Sequence, residues 1–327
     1  MKIGILGAGK IASIMAQTIN QMEGATCYAV AARHKERAEA FAQTYGFEKA
    51  YGSYEALVKD EEVELIYIAT PHSHHYEHAK LCIEHGKAVL CEKAFTRNAK
   101  EAKELLALAK EKGVFITEAI WTRFMPSRKI ISDLLISGVI GKPMTLTANL
   151  GYLIAHKERI AEPALAGGAL LDIGIYPLNF ALMVFGNDFE KITSTAILSE
   201  KGVDLQNSIT LSYKTGEMAV LNSTALALSD RQGIISGDKG YMVVENINNC
   251  ECIRIFNLER QEIKSIKVPQ QITGYEYEVE AAIQAIKAGK LECEEMPHQE
   301  TIRVMEIMDT LRKEWGVRYP GEEDCSE

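Results

Sequence analysis

At 327 residues the chain exceeds what one hydrophobic nucleus usually supports, so two domains are expected. Hydrophobic residues make up 47% and charged residues 25%, an ordinary balance for a globular chain without a Pro-, Gln- or Ser-rich arm, and folding is expected everywhere except the tail 321–327. A formal charge of −9 spread over both halves offers no basic stripe to displace counterions from a phosphate backbone, which excludes nucleic acid as a partner.

Met1 leads straight into the strand-like Lys2-Ile3-Gly4-Ile5-Leu6, leaving no room for a signal peptide. No apolar run reads as long enough to span a membrane, so the expectation is a cytoplasmic protein with no membrane partner. The seven cysteines, at 27, 82, 91, 250, 252, 293 and 325, include no C-x-x-C pair and read as reduced thiols. Cys250 and Cys252 face the same way on a strand and are expected to pack, since a zinc site wants four ligands.

In chain order, short apolar runs at 3–6, 26–31, 64–69, 88–91 and 114–117 read as strands. They alternate with helical patterns at 10–22, 35–45, 73–85 and 98–112, punctuated by Gly24, Gly46, Gly86 and Gly113. Parallel neighbours need crossover connections, so this alternation predicts a Rossmann-like, doubly wound parallel sheet over 1–120.

Beyond Trp121 the pattern changes to a helix at 126–137, an extended run at 143–153 and a helix following Gly167-Gly168 to Phe185. From 191 to 268 strand signals dominate, with Ile209, Leu211 and Tyr213 on one face and Met218, Val220 and Asn222 after a Thr215-Gly216 turn. Helices at 275–288 and 301–315 close the chain. Residues 121–327 are therefore expected to form an α+β substrate-binding and oligomerisation domain on a large, mainly antiparallel sheet. Such a sheet can leave one face for a partner, which points to a homodimer or higher homo-oligomer.

The first strand runs into Gly7-Ala8-Gly9-Lys10-Ile11-Ala12, a G-x-G-x-x-A turn opening a helix. Its glycines let backbone N–H groups reach a pyrophosphate, and the small Ala12 lets helix and strand approach closely. After the second strand, where an enzyme using NAD presents Asp or Glu to the ribose, the chain has Ala31-Ala32-Arg33-His34-Lys35. A guanidinium with no carboxylate to repel a 2′-phosphate favours NADP over NAD, although Arg33 taken alone also reads as a solvated helix start.

The loop Thr70-Pro71-His72-Ser73-His74-His75-Tyr76-Glu77-His78 invites a metal reading. It lacks H-E-x-x-H, and a helix N-terminus beside a dinucleotide accounts for it, so no metal is assigned. Glu92-Lys93 ends the strand at 88–91, at the carboxyl edge where doubly wound sheets bind ligands. An ammonium there can stabilise charge on a substrate oxygen, or else extend from the strand end into solvent. Asp172 and Tyr176 are four apart and share a face if one helix is continuous through both, which Pro177 opposes. Read alone, Asp172 serves equally as a cap and Tyr176 as a packing residue.

Together these residues resemble the glucose-fructose oxidoreductase/inositol dehydrogenase (Gfo/Idh/MocA) family over nearly the whole chain. The likeness rests on the G-x-G-x-x-A turn, Thr70-Pro71 with His75, Glu92-Lys93, and Gly167-Gly168 leading to Asp172-x-x-x-Tyr176. Tyr176, where many members carry histidine, and the run Ala119-Ile120-Trp121-Thr122-Arg123-Phe124 make it most similar to the branch of dimeric dihydrodiol and NADP-linked D-xylose dehydrogenases.

The resemblance implies hydride transfer between NADP(H) and a secondary alcohol or carbonyl of a sugar or cyclic trans-diol. Lys93 and Tyr176 would handle the hydroxyl proton and Asp172 would orient substrate or lysine. Trp121 and Phe124 would wall the pocket and Arg123 would reach a polar substrate group; on residue type alone these three also read as packing. Most relatives carry proline after the lysine, often behind a cis bond. Ala94 stands there in this chain, and a non-proline cis bond costs about 3 kcal/mol, so a trans or strained loop is expected. A non-catalytic NADP-binding sensor is the competing reading, and a hydrolase using a metal on the His loop a third.

Overall fold

A computed structural model describes residues 1–322; Cys325 and the last residues of the expected tail, 323–327, lie outside the described residues. The chain forms two compact units. The first contains 1–124 and 271–305, the second 125–270 and 306–327.

In the first unit six parallel strands, β1 (Lys2–Leu6), β2 (Thr26–Ala31), β3 (Lys49–Tyr51), β4 (Leu65–Ile68), β5 (Ala88–Glu92) and β6 (Ile116–Ala119), lie in the order β3-β2-β1-β4-β5-β6. The edge strand β3 is only three residues long, too short for its apolar pattern to show in the sequence. The central strands are apolar on both faces, with Ile5, Leu6, Ile66 and Ile68 all buried, as a parallel sheet covered on both sides requires.

The connections are helices α1 (Lys10–Ile19), α2 (Lys35–Tyr45), α3 (Tyr54–Val58), α4 (His75–Glu84) and α5 (Ala99–Lys112). Gly46 and Gly113 end α2 and α5 in the left-handed conformation, at φ 79° and 65°. The segment returning at 271–305 supplies α9 (Glu276–Lys287), which packs on β5 through a face that includes Val279, Ala282 and Ile283. Ahead of it, the Glu276 carboxylate accepts the N–H groups of Ile272, Thr273 and Gly274, satisfying donors that have no backbone partner there.

The second unit is built on eight strands in the order β14-β13-β12-β11-β7-β10-β9-β8. They are β7 (Pro143–Gly151), β8 (Phe189–Leu198), β9 (Asp204–Tyr213), β10 (Met218–Thr224), β11 (Gly233–Gly237), β12 (Gly240–Glu245), β13 (Cys252–Phe256) and β14 (Glu262–Lys267). Every pairing is antiparallel except β7 with β10, which is parallel. The central strands alternate: Leu146, Ala148, Ala219 and Leu221 are buried, while Thr145, Thr147, Met218 and Val220 face out.

Helices α6 (Pro126–Ile136) and α7 (Glu158–Ala161) flank β7 in the chain. The buried face is covered by a π-helical turn over Leu170–Gly174 that runs into α8 (Ile175–Phe185). The segment Pro163–Phe185 has 23 residues and a mean hydropathy of 1.6, long and apolar enough by composition to cross a membrane. This corrects the sequence reading that no apolar run reaches that length. Burial inside the fold, over 78% of its most apolar stretch, accounts for the composition.

The β11–β12 hairpin depends on Gly240, at φ 150°, where an added Cβ would overlap the carbonyl oxygen of Phe256. Replacement by alanine must both strain that backbone and displace β13, so Gly240→Ala is expected to cost about 2 kcal/mol or more. Equilibrium urea unfolding measures this, and a variant as stable as the parent would contradict it.

Candidate active site

The strand β1 ends in a turn whose first glycine, Gly7, lies at φ 101°, with Ala69 O 3.0 Å from where a Cβ would be. Nothing lies within 4 Å of the corresponding point on Gly9, so a diphosphate can approach the backbone there. Lys10 and Ile11 begin α1, no side chain caps its first N–H groups, and Ala12 is fully buried against the sheet. These features suit a dinucleotide phosphate at the helix start.

Arg33 is exposed just after β2, and Arg37, which sequence reasoning passed over, donates from Nη2 to Ala8 O at 3.0 Å. Burial raises the Tyr54 phenol, and the positive charges of Arg33 and Arg37 oppose that shift. Arg37 therefore lies at the glycine turn, and both guanidinium groups lie close enough to Tyr54 to act on its phenol.

The His-rich loop after β4 is held by hydrogen bonds. His75 is fully buried, with Nδ1 2.8 Å from Ala94 O and Nε2 2.8 Å from Thr70 O. It thereby links the Thr70-Pro71 loop to the loop following β5. Burial pushes its imidazole down to about 4, against the pull of the two carbonyls. His78 Nδ1 meets Thr70 Oγ1 at 2.9 Å, and the His74 and His78 rings stack at 5.7 Å. Among the described residues no group of three or more His, Cys, Asp or Glu side chains could hold a metal ion.

At the end of β5, Tyr67 donates to Glu92, whose other oxygen accepts the Lys93 N–H at 3.2 Å. The Lys93–Ala94 peptide bond is cis, correcting the trans alternative. Two further carboxyls lie close by, and neither was singled out in the sequence. Glu118, on β6, accepts Phe95 N–H at 3.1 Å and is pushed up to about 7 by burial. Glu278, on α9, is wholly buried with no hydrogen-bond partner for either oxygen among the described residues, and burial followed by the Glu92 charge holds it well above the usual carboxylate range. A glutamate within the apolar run Ile116-Thr117-Glu118-Ala119 was the signal available for the first; Glu278 sits on an amphipathic helix and gave none.

A short helical turn after β6 carries Trp121, Thr122 and Arg123. Trp121 stacks on Tyr275 with centroids 4.3 Å apart and planes 12° from parallel. Arg123, only 3% exposed, pairs with Glu300 at 2.9 Å, and Phe124 is buried beside it in sequence.

Asp172 and Tyr176 belong to the second unit. Ala166 at φ 54° and Gly168 at φ 119° turn the chain into the π-turn, which contains Asp172; Tyr176 lies in the first turn of α8. A widened turn one residue short of Tyr176 lets the helix continue although Pro177 lacks the N–H of a regular turn. Asp172 forms an ion pair with Arg159, a partner the sequence did not suggest. Tyr176 is buried to 9% exposure. Behind this segment the Tyr319 hydroxyl donates to Gly167 O at 2.7 Å, and Arg312, paired with Glu322 and Asp309, lies 4.4 Å from the Tyr319 ring centre.

Residues 1–119 match the oxidoreductase family with an NAD-binding Rossmann fold named GFO_IDH_MocA, and residues 129–243 match the GFO/IDH/MocA C-terminal domain. The chain is 37% identical to a trans-1,2-dihydrobenzene-1,2-diol dehydrogenase of Homo sapiens, over 98% of each protein. It is 36% identical to that of Xenopus tropicalis, over 98% of this chain and 99% of the relative. Among solved structures, a 3-ketoreductase from Actinomadura kijaniata in complex with TDP-benzene and NADP superposes with a TM-score of 0.85 at 22% identity, covering 95% of this chain and 96% of that one. An aldose-aldose oxidoreductase from Caulobacter crescentus complexed with glycerol gives 0.87 at 20% identity, over 96% of each chain. With the fold, the glycine turn and full-length kinship in agreement, the chain belongs to the Gfo/Idh/MocA family of NAD(P)-binding oxidoreductases.

Proposed function

We propose that the protein is an NADP(H)-dependent dehydrogenase or reductase that interconverts a secondary alcohol and its carbonyl, on a sugar or a cyclic trans-diol. The observation that carries this reading is Lys93 at the carboxyl end of β5, in a sheet whose β1 turn is open to a diphosphate. Kinship to dihydrodiol dehydrogenases over the whole chain supports the diol arm, and likeness of fold to sugar oxidoreductases is compatible with the other.

In this reading the N–H groups of Gly7 to Ala12 hold the diphosphate, while Arg33 and Arg37 take the 2′-phosphate and Thr70, Pro71 and His75 shape the wall beside the nicotinamide. Bound NADP supplies the hydride acceptor, or as NADPH the donor. Lys93 hydrogen-bonds the reacting oxygen and stabilises its developing negative charge. Tyr176 accepts the hydroxyl proton as the alcohol is oxidised and returns it in the reverse direction. Asp172 orients the substrate, with Arg159 fixing its carboxylate, and Trp121 and Phe124 offer apolar surface to a ring. Glu92 holds the Lys93 backbone in place. Arg123 enters this scheme through its ion pair with Glu300, which fixes the turn that carries Trp121.

The outward face of the second sheet, where Met218 is 43% and Val220 40% exposed, is proposed to pair with a second copy in a homodimer. The six described cysteines are free thiols, which fits the proposed cytoplasmic setting.

Lys93→Met and Tyr176→Phe should each lower NADP+ reduction across a panel of aldoses and trans-dihydrodiols by roughly a hundredfold or more, leaving NADPH affinity within about twofold. Undiminished turnover in either variant rejects the role given to that residue. Separately, the parent should bind NADPH more tightly than NADH, and Arg33→Ala should shrink that preference by roughly tenfold, since one charge-assisted contact is lost. Equal binding of the two cofactors by the parent contradicts the assignment.

A further inference from the structure

We propose that Asp204 is a positioning residue for Tyr176 and Asp172, its ionised carboxylate fixing the turn that leads into both; this rests on the functional reading above. Asp204 opens β9 and is wholly buried. Its Oδ2 accepts the N–H of Leu170 at 2.8 Å and the side-chain amide of Asn207 at 2.8 Å. Leu170 is the first residue of the π-turn that contains Asp172, so the carboxylate holds the start of that turn at the helix end where negative charge is favoured.

The same network reaches the end of the turn. Asn207 Oδ1 accepts from Ser223 Oγ at 2.6 Å, and a Cβ on Gly174, the last residue of the turn, would lie 3.0 Å from Ser223 Oγ. Asp204, Asn207 and Ser223 thus brace both ends of the five-residue turn, and Tyr176 is the second residue beyond it. Asp204 Oδ1 is packed where a Cβ on Gly168 would be and has no hydrogen-bond partner among the described residues.

That unpartnered oxygen makes the brace sensitive to protonation. Burial raises the Asp204 carboxyl to about 6, opposed by the hydrogen bonds from Asn207 and Leu170 and by the Arg312 charge. The charged and titratable groups facing it are Arg312 on α10 (His298–Trp315) and Tyr319 beyond that helix. Since the folded value lies above the ordinary 3.8, the folded protein takes up a proton as pH falls through about 6. A neutral carboxyl accepts the donors from Leu170 and Asn207 more weakly. The turn loosens, and Tyr176 moves with it.

The test follows Tyr176 directly. Protein carrying 13Cζ-tyrosine is titrated by NMR, with the Tyr176 resonance identified by its loss in Tyr176→Phe. In the parent this resonance is expected to shift with a midpoint near pH 6. In Asp204→Asn, which mimics the neutral form, it stays flat across that range. In Asn207→Ala, which removes one stabilising donor, the midpoint rises by roughly one unit.

Turnover should follow the same course, with parent kcat falling on acidification through that midpoint. Asp204→Asn at neutral pH should keep its KM within about twofold while kcat drops roughly tenfold. A Tyr176 resonance that does not move near pH 6 in the parent, or still moves in Asp204→Asn, overturns the proposal; if Asp204→Asn does not fold, an unmoved midpoint in Asn207→Ala does so. If no alcohol is oxidised yet the three resonance patterns appear, the functional reading fails and the positioning role stands.

Discussion

The constraint on which the first unit depends is the reversal of strand order at β1. The chain leaves β1 for β2 on one side and returns to place β4 on the other, and right-handed crossovers then carry the connecting helices to opposite faces of the sheet. The carboxyl ends of β1 and β4 are left side by side without a helix over them. The Gly7 turn and the Thr70-Pro71 loop occupy that gap, Gly7 with only 3.0 Å between Ala69 O and a Cβ position, and His75 extends the connection to Ala94. Cofactor chemistry in such a fold is a consequence of topology before it is a consequence of any one residue.

Burying several carboxyl groups around the end of β5 carries a cost in desolvation, and the protein meets it in different ways. Glu92 keeps donors from Tyr67 and from the Lys93 backbone, Glu118 keeps the Phe95 N–H, and Glu278 has none among the described residues, its carboxyl held well above the usual range by burial and by the Glu92 charge. In the second unit Asp204 stands between these cases, with one oxygen doubly satisfied and the other bare.

Much of this was legible in the sequence because it is written locally. The glycine turn, the strand-helix alternation and the missing acid after β2 each depend on neighbouring residues, and the parallel and antiparallel sheets follow from them. What escaped depends on contacts distant in sequence. Arg37 reads as one more exposed helix charge until its bond to Ala8 O is seen, and the Arg159–Asp172 pair joins elements whose proximity no periodicity encodes. Arg123, which the resemblance would have reach a polar substrate group, is nearly wholly buried, and Glu300, 177 positions later, is what permits that burial. Pro177 suggested a broken helix, whereas a local π-turn absorbs it.

The return of 271–305 to the first unit also has a meaning in time. A growing chain that has emerged as far as residue 124 holds all six strands of the parallel sheet but not α9, whose Val279, Ala282 and Ile283 belong to its core. The dinucleotide unit therefore stays unfinished until eight strands of the other unit have been synthesised, leaving apolar surface near β5 bare in the interval.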